Sequence, residues 1–234
     1  MSVESPTAAS AEACPWDGLI EAARRLTVSQ VRARCATLSP RAPTFRAKME
    51  SARPAALLAP ITELNGEAAV VVTKRPPTML HHRDDWVFPS GRLDPARDAS
   101  TREAAVREAA EELGAPPGRI ELIGQLATQG PIMTGFLIDV FIGFVPLEDI
   151  APHPHEVADW AVLPISALTA PGAYWRSVHM PDHQAGPPAA GWEGWDGDAR
   201  RAGMRFFGVR EGEVLWGTQG EVLDELLCGL FGAD

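Results

Sequence analysis

Residues 91–114 read GRLDPARDASTREAAVREAAEELG, and the part from Arg107 to Gly114 decides how the rest is read. On a helix, Glu108, Glu111 and Glu112 fall at i, i+3 and i+4 and share one face. Three carboxylates at that spacing repel one another unless a cation stands among them. Ala104, Ala105, Ala109 and Leu113 fall on the opposite face, which predicts packing against a core. Asp98 or Ser100 caps the start, Gly114 stops the helix, and Pro116 and Pro117 prevent its continuation. Clustered hard oxygen ligands suit Mg²⁺ or Mn²⁺ bridging to substrate phosphates. Arg107 lies four residues after Glu103 and four before Glu111, placed to hold a carboxylate by a bidentate hydrogen bond. The charges alone favour a solvated surface helix with alternating charges.

Upstream, Ala55 to Ile61 and Glu67 to Thr73 read as strands joined at Leu64-Asn65-Gly66, since Asn-Gly between apolar runs signals a hairpin. Trp86-Val87-Phe88 is a short extended piece limited by Pro89. Downstream, Arg119 to Thr128, Thr134 to Val145 and Asp159 to Leu163 read as strands, and Pro164 to Leu168 as a short helix. Met204 to Trp216 reads as a hairpin turning at Arg210-Glu211-Gly212. Thr218 to Phe231 reads as a helix with Val222, Leu223, Leu226, Leu227 and Leu230 apolar. A further helix is expected from Asp17 to Leu38. Strands and helices are intermixed, which predicts an α/β fold with a mixed sheet packed by helices. Residues 1–15 read as a disordered tail, 16–52 as an N-terminal helical segment and 53–234 as the main domain. Residues 183–203 form a Gly/Pro/Trp-rich insertion within it.

The 234 residues suit one domain with an added segment, and 45% hydrophobic with 22% charged residues is ordinary globular usage. The formal net charge of −10 argues against binding a nucleic-acid backbone, and no apolar run is long enough to span a membrane. Cys14, Cys35 and Cys228 show neither metal spacing nor a disulfide framework. With no signal peptide visible, the chain reads as cytoplasmic. His81-His82 and the pair His153 and His155 lack partners at zinc spacing and read as solvated loop histidines. Trp216 reads as a core anchor. Trp192 and Trp195 fit a pocket wall, a subunit contact or a fold-back equally.

The stretch from Gly91 to Gly114 resembles the Nudix box: a glycine, a glutamate, then Arg-Glu-apolar-x-Glu-Glu-x-Gly. The ending matches fully. The front is longer than the generic box, and Ala99, beside Asp98, stands where the box glutamate is expected. Thr73-Lys74-Arg75 through Phe88-Pro89-Ser90-Gly91, with His82 in the gap, resembles the signature before the box in coenzyme A diphosphatases of this group. Those enzymes also lengthen the box front, as Asp94-Pro95-Ala96-Arg97-Asp98-Ala99-Ser100 does here. The likeness continues through Arg53 to Leu58, Glu156-Val157, Val162-Leu163-Pro164 and Val214 to Thr218. Ser90, Asp84 and Leu80 depart from the signature, which has glycine, glycine and arginine there.

The resemblance implies an α/β/α sandwich that cleaves a nucleoside diphosphate linked to another group, using Mg²⁺ or Mn²⁺. It implies Glu108, Glu111 and Glu112 as metal ligands, with Arg107 orienting them. Glu111 or Glu156 is the general base, and Glu156 is alternatively a ligand. Arg75 contacts a phosphate, Asp94 orders the loop after Gly91, and His82 and Gly91 lie on the substrate side. The implied substrate is coenzyme A or acyl-coenzyme A, giving 3′,5′-ADP and (acyl-)4′-phosphopantetheine. ADP-ribose, NADH or a dinucleotide is the alternative substrate, and a non-catalytic nucleotide-sensing domain is a further alternative. A homodimer is what the family likeness implies.

Overall fold

A computed structural model describes residues 14–38, 52–79, 83–130, 135–177 and 204–232. His81, His82, Leu80 and the 183–203 insertion, with Trp192 and Trp195, lie outside the described residues, as do residues 1–13 of the expected tail.

The central strand, β1 (Arg53–Leu64), has eight consecutive buried residues, as expected for a strand covered on both faces. The turn at Asn65 (φ 52°) and Gly66 (φ 77°) is left-handed at both positions, the requirement of a type I′ hairpin, and leads into β2 (Glu67–Lys74). The two strands pair only near the turn, from Ile61↔Val70 to Leu64↔Glu67. Beyond that they fork. The segment 86–92 enters the fork: β3 (Trp86–Val87) pairs with the end of β2, and β4 (Ser90–Arg92) pairs with Ala55 to Leu57 of β1. Between them, Leu58 donates its N–H to Pro89 O at 3.0 Å. Pro60 falls just before the β1–β2 pairing begins at Ile61, at a position where proline is tolerated in a strand.

On the other side of β1 lies β6 (Phe136–Phe144), parallel to it along its length, and then β5 (Glu121–Gln125), antiparallel. β7 (Asp159–Pro164) pairs antiparallel with the outer edge of β2. The sheet is therefore mixed. Alternate residues of each strand face opposite layers. Ala56, Leu58, Val71 and Phe141 pack with Ala104, Ala105, Ala109 and Leu113 of α3 (Thr101–Leu113). Leu57, Ala59, Ile61, Val70, Val72 and Ile142 face the opposite layer, built from α2 (Val28–Cys35) and α5 (Gly217–Phe231). This is the expected α/β/α sandwich.

The N-terminal helix differs from expectation. It breaks into α1 (Glu21–Arg24) and α2, because Thr27 starts a new helix. The Thr27 hydroxyl accepts the Gln30 N–H at 3.2 Å, and Gln30 Oε1 accepts the Thr27 N–H at 2.8 Å, a capping box that holds Thr27 extended. The tail boundary also moves: Cys14 is buried, and its N–H donates to Asp17 Oδ2 at 2.7 Å. Trp16 packs edge-on against Tyr174 and Phe231, so this segment joins the second layer.

α4 (Ile165–Leu168) follows β7, and β8 (Tyr174–Ser177), β9 (Met204–Arg210) and β10 (Glu213–Leu215) form a second, three-stranded sheet. The β9–β10 hairpin matches expectation; β8 was not foreseen. Trp216 is half-buried and stacks on Phe206 with centroids 6.2 Å apart, and its Nε1–H donates to Asp85.

Candidate active site

α3 forms where its caps place it. The Ser100 hydroxyl accepts the Glu103 N–H, and Glu103 Oε2 accepts the Ala99 N–H at 2.8 Å, closing the first turn. Gly114 ends the helix at φ 67°, and a Cβ there would lie 2.1 Å from Ala151 O. With both ends fixed, one helix face stands against the fork between β1 and β2.

The box carboxylates meet that fork differently. Glu112 points into it: Oε1 accepts the Ser90 N–H at 3.3 Å, and Oε2 accepts the Thr73 hydroxyl at 3.4 Å. Desolvation pushes the Glu112 carboxyl up to about 7. The Ser90 bond and the charge of Arg75 pull the other way. Glu108 lies on Gly91: a Cβ at residue 91 would sit 2.1 Å from Glu108 Cδ. Only glycine leaves room for that carboxylate.

Arg107 stands among the carboxylates, as their mutual repulsion requires. Its two-point bond, however, goes to Asp98, not to a helix glutamate. Nε donates to Asp98 Oδ1 and Nη2 to Asp98 Oδ2, each at 2.8 Å. Nη1 spans Glu108 Oε1 at 2.7 Å and Glu111 Oε2 at 3.2 Å, and Nη2 also reaches Arg92 O at 3.0 Å. Asp98 is buried, and the guanidinium holds its carboxyl below the usual carboxylate range. Asp98 lies in the longer box front, one residue before Ala99.

A cavity of about 350 Å³ collects these groups. Thr73, Arg75, Met79, Ser90, Glu108, Glu111, Glu112 and Glu156 line it. Glu156, expected from a distant loop, arrives there exposed, its backbone turned by a bond from its N–H to His153 O. Arg75 Nε is buried with no partner among the described residues. Gly91 touches the site through Glu108. Asp94 is not among the lining residues: its Oδ1 accepts the Ala96 N–H at 3.0 Å and its N–H donates to Asp98 Oδ2 at 2.9 Å, so it orders the loop. Met79 was not singled out by sequence, and nothing local signals it. His153 and His155 stack on each other, exposed.

The two described departures from the signature are compatible with the backbone. Asp84 adopts φ 56°, the left-handed conformation that suits glycine. Ser90 is in a strand, where no glycine is needed. The segment leading to Ser90 is braced from the opposite side: Gln219 Oε1 accepts the Phe88 N–H at 3.0 Å, and Glu213 pairs with Lys74 and Trp86.

A family model, the NUDIX domain, matches residues 52–182. The chain belongs to the Nudix family. Similar proteins include the uncharacterized Nudix hydrolase NudL of Yersinia enterocolitica, 32% identical over 156 residues, covering 65% of this chain and 76% of that relative. The NudL of Cronobacter sakazakii is 34% identical over 146 residues, covering 61% of this chain and 72% of that protein. Among solved structures, a Caenorhabditis elegans Ap4A hydrolase binary complex is 20% identical with a TM-score of 0.39. It covers 48% of this chain and 80% of its own.

As a Nudix hydrolase, the protein cleaves the diphosphate of a nucleoside diphosphate derivative, and Nudix hydrolases use divalent metal ions. The donor chemistry here fits such an ion. Three box glutamates and Glu156 line one cavity. The carboxylates are not gathered: among the described residues no three acidic, His or Cys groups form a metal-holding cluster. Arg107 and Arg97 hold Glu108 and Glu111 instead. No helix among the described residues is long and apolar enough to cross a membrane.

Proposed function

We propose that the protein hydrolyses the diphosphate of coenzyme A or acyl-coenzyme A, releasing 3′,5′-ADP and 4′-phosphopantetheine or its acyl form. The observation that carries this reading is the shared cavity. Thr73, Arg75 and Ser90, from the segment resembling the coenzyme A diphosphatase signature, line it together with Glu108, Glu111 and Glu112.

Glu108, Glu111 and Glu112 would hold Mg²⁺ or Mn²⁺. Bound there, the metal supplies neutralisation of charge on the diphosphate and a lowered pKa for water. Arg75 lines the cavity, and its guanidinium suits a phosphate oxygen there. Arg107 acts through others: it orients Glu108 and Glu111 and ties them to the loop. Gly91 lets Glu108 approach, and Asp94 fixes the loop that follows. As water attacks phosphorus and the P–O bond of the diphosphate breaks, Glu156 or Glu111 takes the proton of that water. The pH–rate profiles of Glu156→Gln and Glu111→Gln identify which, because only loss of the base removes the acid limb. His82 completes the substrate side in this reading, and a cytoplasmic homodimer is its setting.

Hydrolysis of coenzyme A, acetyl-coenzyme A, ADP-ribose and NADH, with Mg²⁺ or Mn²⁺ and products resolved by mass, tests it. Release of 3′,5′-ADP with preference for the coenzyme A pair is expected. Preference for ADP-ribose or NADH overturns the substrate while keeping the chemistry.

A further inference from the structure

Arg97 is fixed beside the site by its own loop. Its N–H donates to Asp94 O at 2.9 Å, and the Asp98 N–H donates to the same oxygen at 2.7 Å. Asp98, the next residue, is clamped by Arg107. From this turn the Arg97 guanidinium makes one hydrogen bond among the described residues, from Nη2 to Glu111 Oε1 at 2.5 Å. Arg107 Nη1 meets the other oxygen, Oε2, at 3.2 Å. Glu111 is therefore the one box carboxylate with a different guanidinium on each oxygen. Arg107 has Asp98, Glu108 and Arg92 O to hold it if Glu111 turns away. Arg97 makes no other side-chain hydrogen bond among the described residues, though its charge also acts on Asp98.

We infer that Arg97 is a positioning residue that stands in for the metal at Glu111 and is exchanged for it on metal binding. The inference rests on the proposed role of Glu111 as a ligand. The physical argument is competition. A carboxylate oxygen bonded to a guanidinium is turned toward it, and a metal must displace that bond to take the oxygen. Until then Arg97 offsets the repulsion among Glu108, Glu111 and Glu112 that their spacing imposes. The pair is half-exposed, so the competition is mild and weakens with salt.

Mn²⁺ binding to the full chain without nucleotide, read from free Mn²⁺ by electron paramagnetic resonance, tests this in four proteins: wild type, Arg97→Ala, Glu111→Gln and the double variant. Arg97→Ala is expected to bind Mn²⁺ about two- to fivefold more tightly, on the scale of an exposed ion pair. The gain should vanish in the Glu111→Gln background and shrink at high salt. Arg102→Ala, which removes an equal charge farther along α3, controls for the general field. Unchanged affinity in Arg97→Ala, with Glu111→Gln weakened, overturns the exchange and keeps Glu111 as a ligand. An equal gain with and without Glu111, or in Arg102→Ala, also overturns it, since the effect would then be general charge. Unchanged binding in Glu111→Gln overturns both the ligand assignment and the exchange.

Discussion

Asp98 and Arg107 face each other through two parallel hydrogen bonds of 2.8 Å, joining the loop after β4 to the middle of α3. The Asp98 side chain is 1% exposed and that of Arg107 15%, so the pair is little screened, although Arg107 keeps Glu108, Glu111 and Arg92 O when Asp98 is changed. Asp98→Asn should lower unfolding stability by about 2 kcal/mol near neutral pH, measured by urea titration. The pH dependence has a definite sign. The folded pKa of Asp98 is depressed, so its contribution is present above the unfolded carboxylate value and lost as pH falls through the folded one. Wild type and variant should converge in acid; a constant gap down to the lowest pH would refute the ionic origin.

Gly91→Ala tests the approach of Glu108. The added methyl would overlap the Glu108 carboxylate, the far end of a flexible side chain, so the fold should survive while the carboxylate moves. Turnover should fall about a hundredfold, the scale of an ångström-sized displacement at a reacting centre. An unchanged circular dichroism spectrum with that loss is the expected pair of results.

Glu112→Gln separates stability from activity. The native carboxylate is held in burial that resists its charge, and glutamine keeps the shape without that penalty. The melting temperature should be equal to or above wild type, while turnover falls by about 10²- to 10³-fold. Near-normal turnover would remove Glu112 from the metal-ligand set.

Gly114→Ala should destabilise the protein by about 2 kcal/mol. It forces φ 67° on a residue with a side chain and drives that side chain into the backbone oxygen of Ala151. Thermal unfolding measures the loss, and Gly114→Asn, better tolerated at left-handed angles, should lose no more than alanine does.

The parts of this fold legible in the sequence are those whose cause is local. Ser100 and Gly114 cap α3 from within one turn, Asn65-Gly66 fixes its hairpin, and the spacing of Glu108, Glu111 and Glu112 sets their common face. What escaped reading depends on distance. The break before α2 was present as Thr27 and Gln30, a capping box outweighed by the apolar residues around it. β8 is short and held by its pairing with β9. Arg107 takes Asp98 and not a helix glutamate as its two-point partner because the loop curls, through Asp94, to present Asp98. That Arg97 meets Glu111 has no sequence periodicity behind it, since a loop and a helix come together only in three dimensions.

The two layers around the sheet differ in how far the chain must travel to make them. α3 packs mainly on β1, β4 and β6, which lie between residues 53 and 144. The opposite layer joins α2 to α5, with Arg34 Nη1 donating to Leu230 O across 196 residues and Trp16 against Phe231. Such distant contacts gain nothing until a large loop has closed, so that layer is expected to assemble after the first. Until α5 arrives, the apolar face of Leu57, Ile61 and Val72 is uncovered. The half of the molecule carrying the carboxylates can form first, and the vulnerable period in folding belongs to the half that carries none of the box.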